Sequence, residues 1–238
     1  MIYQKYIVYI LIKKIKFYFK RIEKGAGNMA ETLSEKAYNI IKERLLYTKK
    51  GSYLSIRKVA EELNMSYTPV REAFLRLHKE GFLELVPKVG FFTNCIDINE
   101  ILQIYEVREC IELFVFKKIF NSIGPKHIEL LKKYLEEQKN CLDKKDIHGY
   151  VKADQKFHEV FLEIYNNQYL SNLYRNIREQ YFICSNNIAE RHSGVAVEEH
   201  ERLIKCIENK DFEKAINLLS MHIENAKQRV KDGFRRVS

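Results

Sequence analysis

Apolar residues follow two regimes along the chain. Before about residue 93 they form short helix-spaced groups, separated by turn residues and ending in two β-prone runs; beyond it the helical spacing persists almost to the C-terminus. Ala37, Ile40, Ile41 and Leu45 predict a helix over about 33–47, with Thr32-Leu33-Ser34-Glu35 placed as a capping box at its start. Ile56, Val59, Ala60 and Leu63 recur at i, i+3, i+4 and i+7 behind Ser55, which is suited to cap them. Asn64-Met65 then makes a turn. A second helix follows, with Ser66 as cap, Pro69 in its first turn, Val70, Ala73, Phe74 and Leu77 on its inner face, and Gly81 as a left-handed stop. Phe82–Val86 and Phe91–Thr93 pair as a hairpin through Pro87-Lys88-Val89-Gly90. Helix, tight turn, helix and hairpin in this order predict a winged helix-turn-helix, a unit that reads DNA.

Asp97-Ile98-Asn99-Glu100 repeats the capping pattern and opens a helix to about Phe120. Further helices are expected over about 125–142, 146–165, 168–188, 196–209 and 211–230, with little strand signal between them. The fold class is therefore mainly α, an N-terminal winged helix-turn-helix followed by a C-terminal all-α helical bundle. The boundary falls near residues 94–98 without a long linker, which gives a winged unit over 29–93 and a helical, dimerising unit over 97–232.

Composition changes this picture only locally. The 238 residues are 46% hydrophobic, which suits core-forming domains, and carry a net charge of +9. Residues 1–28 contribute +6 of that, from seven Lys/Arg against one Glu. Their apolar run, Tyr6–Ile12, is far shorter than the ~20 residues that span a bilayer, and no small-residue cleavage site follows it closely. The segment reads as a basic extension ahead of an alternative start at Met29, or as an amphipathic helix for a membrane or DNA surface. Residues 29–92 carry a further +3, so the excess lies in the half expected to meet phosphate, and the remainder is neutral. Five scattered cysteines with no CxxC pair point to a reducing cytoplasm rather than a disulfide framework.

Candidate chemistry lies in the helical half. Asp154 and His158, four residues apart, share a face with Tyr150, Val151, Phe157, Phe161 and Leu162. His200 lies in register with Leu203, Ile204 and Ile207, and His222 with Ala215, Leu219 and Ala226. Each polar group buried without a partner costs on the order of 1–3 kcal/mol, so four pointing into one core need a common solution. Taken singly, each histidine fits a hydrogen-bonded core residue; taken together, one carboxylate and three imidazoles suit Zn²⁺, Ni²⁺ or a similar divalent ion. His78, His127, His148 and His192 show no such grouping and are expected at the surface.

Leu54, Arg57, the Ser66-Tyr67-Thr68-Pro69-Val70-Arg71-Glu72-Ala73 run, Leu77, Glu80-Gly81 and Gly90 together resemble the DNA-binding domain of the GntR superfamily of bacterial repressors, over about residues 32–93. That resemblance implies DNA contacts from Arg57, Ser66, Tyr67, Thr68, Arg71 and Gly90. The chain departs from the family pattern at Lys50-Gly51, where Pro-Gly is usual, and at Tyr67, where Arg is usual, so its operator should differ from those of close relatives. Asp154 with Phe157-His158, Asn167 with Leu170, Glu199-His200, and Asp211 with Ala215 and His222 resemble the all-helical FCD domain of the FadR-type branch, over about 97–230. That second resemblance implies a divalent metal, zinc above all, on Asp154, His158, His200 and His222 at the floor of a cavity. It also implies an effector carboxylate, for which Arg108 is the first candidate and Arg178 and Arg191 follow. Arg108 equally suits a salt bridge to Glu112, and Tyr181 suits either the cavity wall or the core.

The sequence thus reads as a homodimeric, metal-containing repressor in the cytoplasm, binding a near-palindromic double-stranded DNA operator under control of a small organic acid, with no membrane partner and no catalytic role. Two other readings compete with it: a metal-sensing repressor without an organic effector, and a metal-dependent enzyme fused to a DNA reader.

Overall fold

The computed structural model describes residues 31–184 and 193–235. The extension at residues 1–28 and the candidate Arg191 lie outside them, as does His192. The winged unit begins with α1 (Leu33–Leu45), β1 (Tyr53–Leu54) and α2 (Ile56–Glu62). It continues with α3 (Tyr67–Lys79), β2 (Leu83–Val86) and β3 (Gly90–Thr93). α1 and α2 both pack on α3, whose Val70, Ala73, Phe74 and Leu77 are fully buried. Removing a side chain of that size from water stabilises by roughly 1.5–3 kcal/mol, so this face fixes the orientation of the outer one.

Local chemistry sets the ends of these elements, with two differences from expectation. Ser55 accepts from Lys58 N, but Ser66, at the N-cap of α3, makes no bond to its own helix, which leaves the hydroxyl exposed at the outer surface. Thr32 accepts from Glu35 N, yet the reciprocal half of that box is missing because Glu35 turns to Arg76 at 2.6 Å. The box of Asp97 and Glu100 is complete. Tyr53–Leu54 forms a third strand that two residues of sequence do not announce; it pairs with β3, so the antiparallel order is β1-β3-β2. Gly90 sits at φ +138°, where a Cβ would lie 2.7 Å from the Tyr53 ring, so the close approach of β1 requires glycine there.

The helical unit comprises α4 (Ile98–Ile119), a 3₁₀ turn at Phe120–Ser122, α5 (Pro125–Asp143) and α6 (Ile147–Tyr165). α7 (Gln168–Cys184), α8 (Ser193–Glu208) and α9 (Phe212–Arg235) complete it. α8 opens three residues before its expected start. α4 lies against α6, α7 and α9, while α5 packs along α6 and α8, so the faces of six helices meet in one core. No helix among the described residues is long and apolar enough to cross a membrane.

The two units touch. Lys42 on α1 pairs with Glu179 on α7 at 2.5 Å, and Gln180 donates to the Glu80 carbonyl. His148 is exposed, as expected, and is ring-packed between Tyr47 and Phe182, which bridges the seam. His78 is half-buried on Phe91, with Nδ1 3.0 Å from Leu83 O, and His127 Nδ1 accepts from Gly124 N. Tyr181 belongs to the core, edge-on to Tyr105.

Candidate metal centre and nucleic-acid interface

Asp154, His158, His200 and His222 come from α6, α8 and α9, and one ligand atom from each falls within 4.8 Å of all the others. Helical periodicity brings them there. Asp154 and His158 are one turn apart on the face whose apolar members, Val151 and Phe161, are buried; His200 stacks flat on Phe157 at 4.2 Å. His158 and His200 have no solvent exposure, while 14% of the Asp154 side chain is reached by water.

Hydrogen bonding fixes which nitrogens face inward. Nδ1 of His222 lies 2.7 Å from Glu199 Oε2, and Nδ1 of His200 lies 2.9 Å from Gln138 Oε1. Nδ1 of His158 lies 2.8 Å from Glu112 Oε2, close but without the alignment of a full hydrogen bond. Carboxylate and carbonyl oxygens only accept, so the protons belong on Nδ1 and the lone pairs on Nε2. Yet His200 Nε2 stands 3.2 Å from the Nε2 of both His158 and His222. One proton cannot serve two such lone pairs, whereas a cation between them satisfies all three. Ligands ~2.1 Å from a tetrahedral centre lie about 3.4 Å apart. The imidazole spacing fits this, and Asp154 Oδ1, at 3.8 and 3.9 Å from two of the nitrogens, needs only a small approach. The donor set therefore fits a divalent ion of the zinc type, with Glu112, Gln138 and Glu199 orienting the imidazoles from behind.

The electrostatics agree. Burial, reinforced by the neighbouring His222 and His158, pushes the pKa of His200 well down, and burial lowers that of His222 against the pull of Glu199, which favours the neutral form of both imidazoles. Burial alone would raise the Asp154 carboxyl, but the Arg178 guanidinium, with Arg108 behind it, outweighs burial and holds the group well below the usual range. Glu112 is likewise held down against burial by His158 and Arg108.

Two of the guanidiniums expected to meet an effector are already engaged. Arg178 Nη2 is 2.5 Å from Asp154 Oδ2. Arg108 Nε is 3.0 Å from Glu112 Oε1, which is the salt bridge weighed for it, but the pair is buried rather than exposed, and Arg108 Nη2 has no hydrogen-bond partner among the described residues. Tyr174 OH also donates to Glu112 Oε1. The sequence pattern alone marks no role for Gln138, Tyr174, Glu199 or Arg229. The available signal was a polar side chain at a core register position, such as Glu112 between Arg108 and Val115.

In the winged unit, Arg57, Ser66, Tyr67, Thr68 and Arg71 are all exposed, with Gly90 half-buried at the wing. Arg57, Ser66 and Tyr67 share a shallow cleft with Glu61, Asn64 and Met65 at the turn between α2 and α3. Neither Arg57 nor Arg71 is in an ion pair among the described residues, so both guanidiniums are available to phosphate or to guanine. Lys88, exposed at φ +65°, adds a cation at the wing tip.

Residues 33–93 match the bacterial regulatory proteins of the gntR family, and residues 103–225 match the FCD domain. The chain is 28% identical to the gluconate operon transcriptional repressor of Bacillus licheniformis, over 76% of this chain and 77% of that protein. Escherichia coli McbR/YncC, at 21% identity, shares the fold with a TM-score of 0.72 over 88% of this chain and all of that one. The metal-free FCD domain of TM0439, at 23% identity, superposes with a TM-score of 0.51 over 60% of this chain and 99% of its own.

Proposed function

The chain belongs to the GntR family of bacterial transcriptional regulators and carries an FCD domain, and we propose that it is a homodimeric repressor whose hold on a near-palindromic operator depends on a divalent ion and a small organic acid in the helical unit. Its relatives regulate transcription and are not enzymes, so the catalytic reading is set aside. The observation that carries the metal reading is the convergence of three imidazole Nε2 atoms with no proton to share among them. Asp154, His158, His200 and His222 are the ligands in this reading. When bound, a zinc-type ion would supply a fixed positive charge, and with four protein ligands it would take an oxygen ligand by expanding to five-coordination.

Charge balance supports an acidic effector. Arg108 and Arg178 are matched inside the core by Glu112 and Asp154, so with neutral imidazoles the centre is balanced before any ion enters. A divalent ion leaves it two charges positive in a medium of low dielectric, which an organic carboxylate offsets. Arg108 Nη2, buried and unpartnered, is the donor assigned to that carboxylate. Arg178 is already committed to Asp154 and acts there as a positioning residue. At the other end, Arg57 and Arg71 bind phosphate or base edges, Ser66 and Thr68 bond the DNA backbone, Tyr67 contacts sugar or a thymine methyl, and Gly90 lets the wing approach.

The test uses the full chain and a duplex selected by it from a random library. DNA affinity is read for protein stripped of metal, reloaded with Zn²⁺ or Ni²⁺, and reloaded with hydroxy-, keto- and dicarboxylic acids present. Affinity that changes with metal and again with one class of acid is the expected result. A change with metal alone favours the metal sensor, and no change under any condition refutes the regulatory role of the centre.

A further inference from the structure

One helix touches both ends of this system. α7 presents Tyr174 and Arg178 to the metal centre, where Tyr174 OH donates to Glu112 Oε1 at 2.9 Å and Arg178 Nη2 meets Asp154 Oδ2 at 2.5 Å. The next two residues face the winged unit: Glu179 pairs with Lys42 on α1 at 2.5 Å, and Gln180 donates to the Glu80 carbonyl. Successive residues of a helix point about 100° apart, so Arg178 and Gln180 project to opposed sides of one stiff rod.

The receiving end is the stop of the recognition helix. Glu80 is the C-cap of α3, and its carboxylate takes the Tyr38 hydroxyl from α1 and Arg76 Nε at 3.1 Å from α3. Arg76 also lies 3.6 Å over the Tyr38 ring and pairs with Glu35, so α1 and α3 are clamped together at that point. Gly81, at φ +83°, leaves room for the amide of Gln180, because a Cβ there would lie 2.6 Å from Gln180 Nε2. The contact therefore bears on the C-terminal end of the helix whose N-terminal residues, Tyr67, Thr68 and Arg71, are exposed at the outer face.

We propose that α7 is the relay between the two sites: Arg178 follows the position of the Asp154 carboxylate, and Gln180 with Glu179 transfers it to the Glu80 end of α3. Drawing Asp154 toward a bound cation shifts the Arg178 anchor, and the rod carries the displacement to the α3 C-cap. The inference rests on the metal reading above. It adds that the coupling free energy between metal and DNA runs through two side chains that touch neither ligand.

The experiment measures zinc stoichiometry, the rise of melting temperature with zinc, and DNA affinity in the stripped and loaded full-length chain, for the wild type, Gln180→Ala and Glu179→Gln. In the wild type, zinc changes DNA affinity at least about fivefold. Gln180→Ala keeps one zinc per chain and the zinc-dependent rise in melting temperature, while its stripped and loaded forms bind DNA within about twofold of one another. Glu179→Gln, at a half-exposed position that tolerates substitution, reduces the wild-type ratio at least about twofold and supplies the result if the first variant fails to fold. Wild-type ratios in the folded variants overturn the relay alone. A wild type that binds no zinc, or binds it without any effect on DNA affinity, overturns the metal reading and the relay together.

Discussion

Replacing Glu199 by glutamine tests the centre without touching a ligand. Its carboxylate is 6% exposed, takes the Nδ1 proton of His222 at 2.7 Å on one oxygen, and takes Asn225 at 2.8 Å and Arg229 at 3.2 Å on the other. Burial pushes the acid up, but the hydrogen bonds from His222, Arg229 and Asn225 more than offset it and hold the pKa at about 2, so the group is ionised at neutral pH. Glutamine keeps the shape and loses the charge. Its amide cannot accept on both sides, so either Arg229 or His222 meets a donor, and a donor at His222 favours the tautomer with the proton on Nε2, aimed at the metal. Changes of this kind behind a metal ligand weaken binding about 10–100-fold, or roughly 1.4–2.7 kcal/mol. Competition for zinc against a fluorescent chelator at neutral pH reads that loss directly, with Glu208→Gln, whose partner Lys132 is exposed, as the matched surface control. A zinc affinity for Glu199→Gln within about twofold of the wild type would refute the orienting role, because losing a partner that orients a metal ligand typically costs about 10–100-fold.

Other substitutions probe separate links. His200→Ala removes an unexposed imidazole stacked on Phe157 and strands Gln138; metal content should fall to near zero and the stripped chain should lose roughly 2–4 kcal/mol by denaturant titration, so unchanged metal content contradicts the ligand assignment. Arg71→Ala should weaken DNA binding and reduce the salt slope by about one with no change in melting temperature; full affinity at physiological salt excludes it as a phosphate or base contact. Phe74→Ala, at the buried contact with Phe91, should cost about 3–5 kcal/mol and loosen α3. A loss below about 1 kcal/mol would show that α3 is held by something other than this face.

The sequence made the helices legible because each carries an apolar stripe of the right period and most carry a readable cap, as Asp97 and Asp146 illustrate. The four-residue cluster was legible for the same reason: Asp154, His158, His200 and His222 sit at core register positions where ionisable groups are costly. What surrounds them was not legible. Glu112, Gln138 and Glu199 reach their histidines across 46, 62 and 23 residues of chain, a separation that no local period encodes. Arg178 illustrates the same limit. Periodicity places it on a helix but cannot tell that its partner is Asp154 rather than solvent or an effector. β1 escaped notice because two residues carry no alternation, and its pairing depends on Phe91 and Phe92, far along the chain. Ser66 looked like a cap by type, and only the backbone placement shows the hydroxyl free of that duty and turned outward.

Everything proposed for the helical unit depends on one buried set of three imidazoles and a carboxylate holding a divalent ion. X-ray absorption at the zinc edge on the zinc-loaded, full-length protein tests it most directly. The expected spectrum shows nitrogen and oxygen neighbours at about 2.0–2.1 Å, with the more distant scattering of three imidazole rings. A shell containing sulfur at about 2.3 Å, or one lacking imidazole scattering, would contradict it.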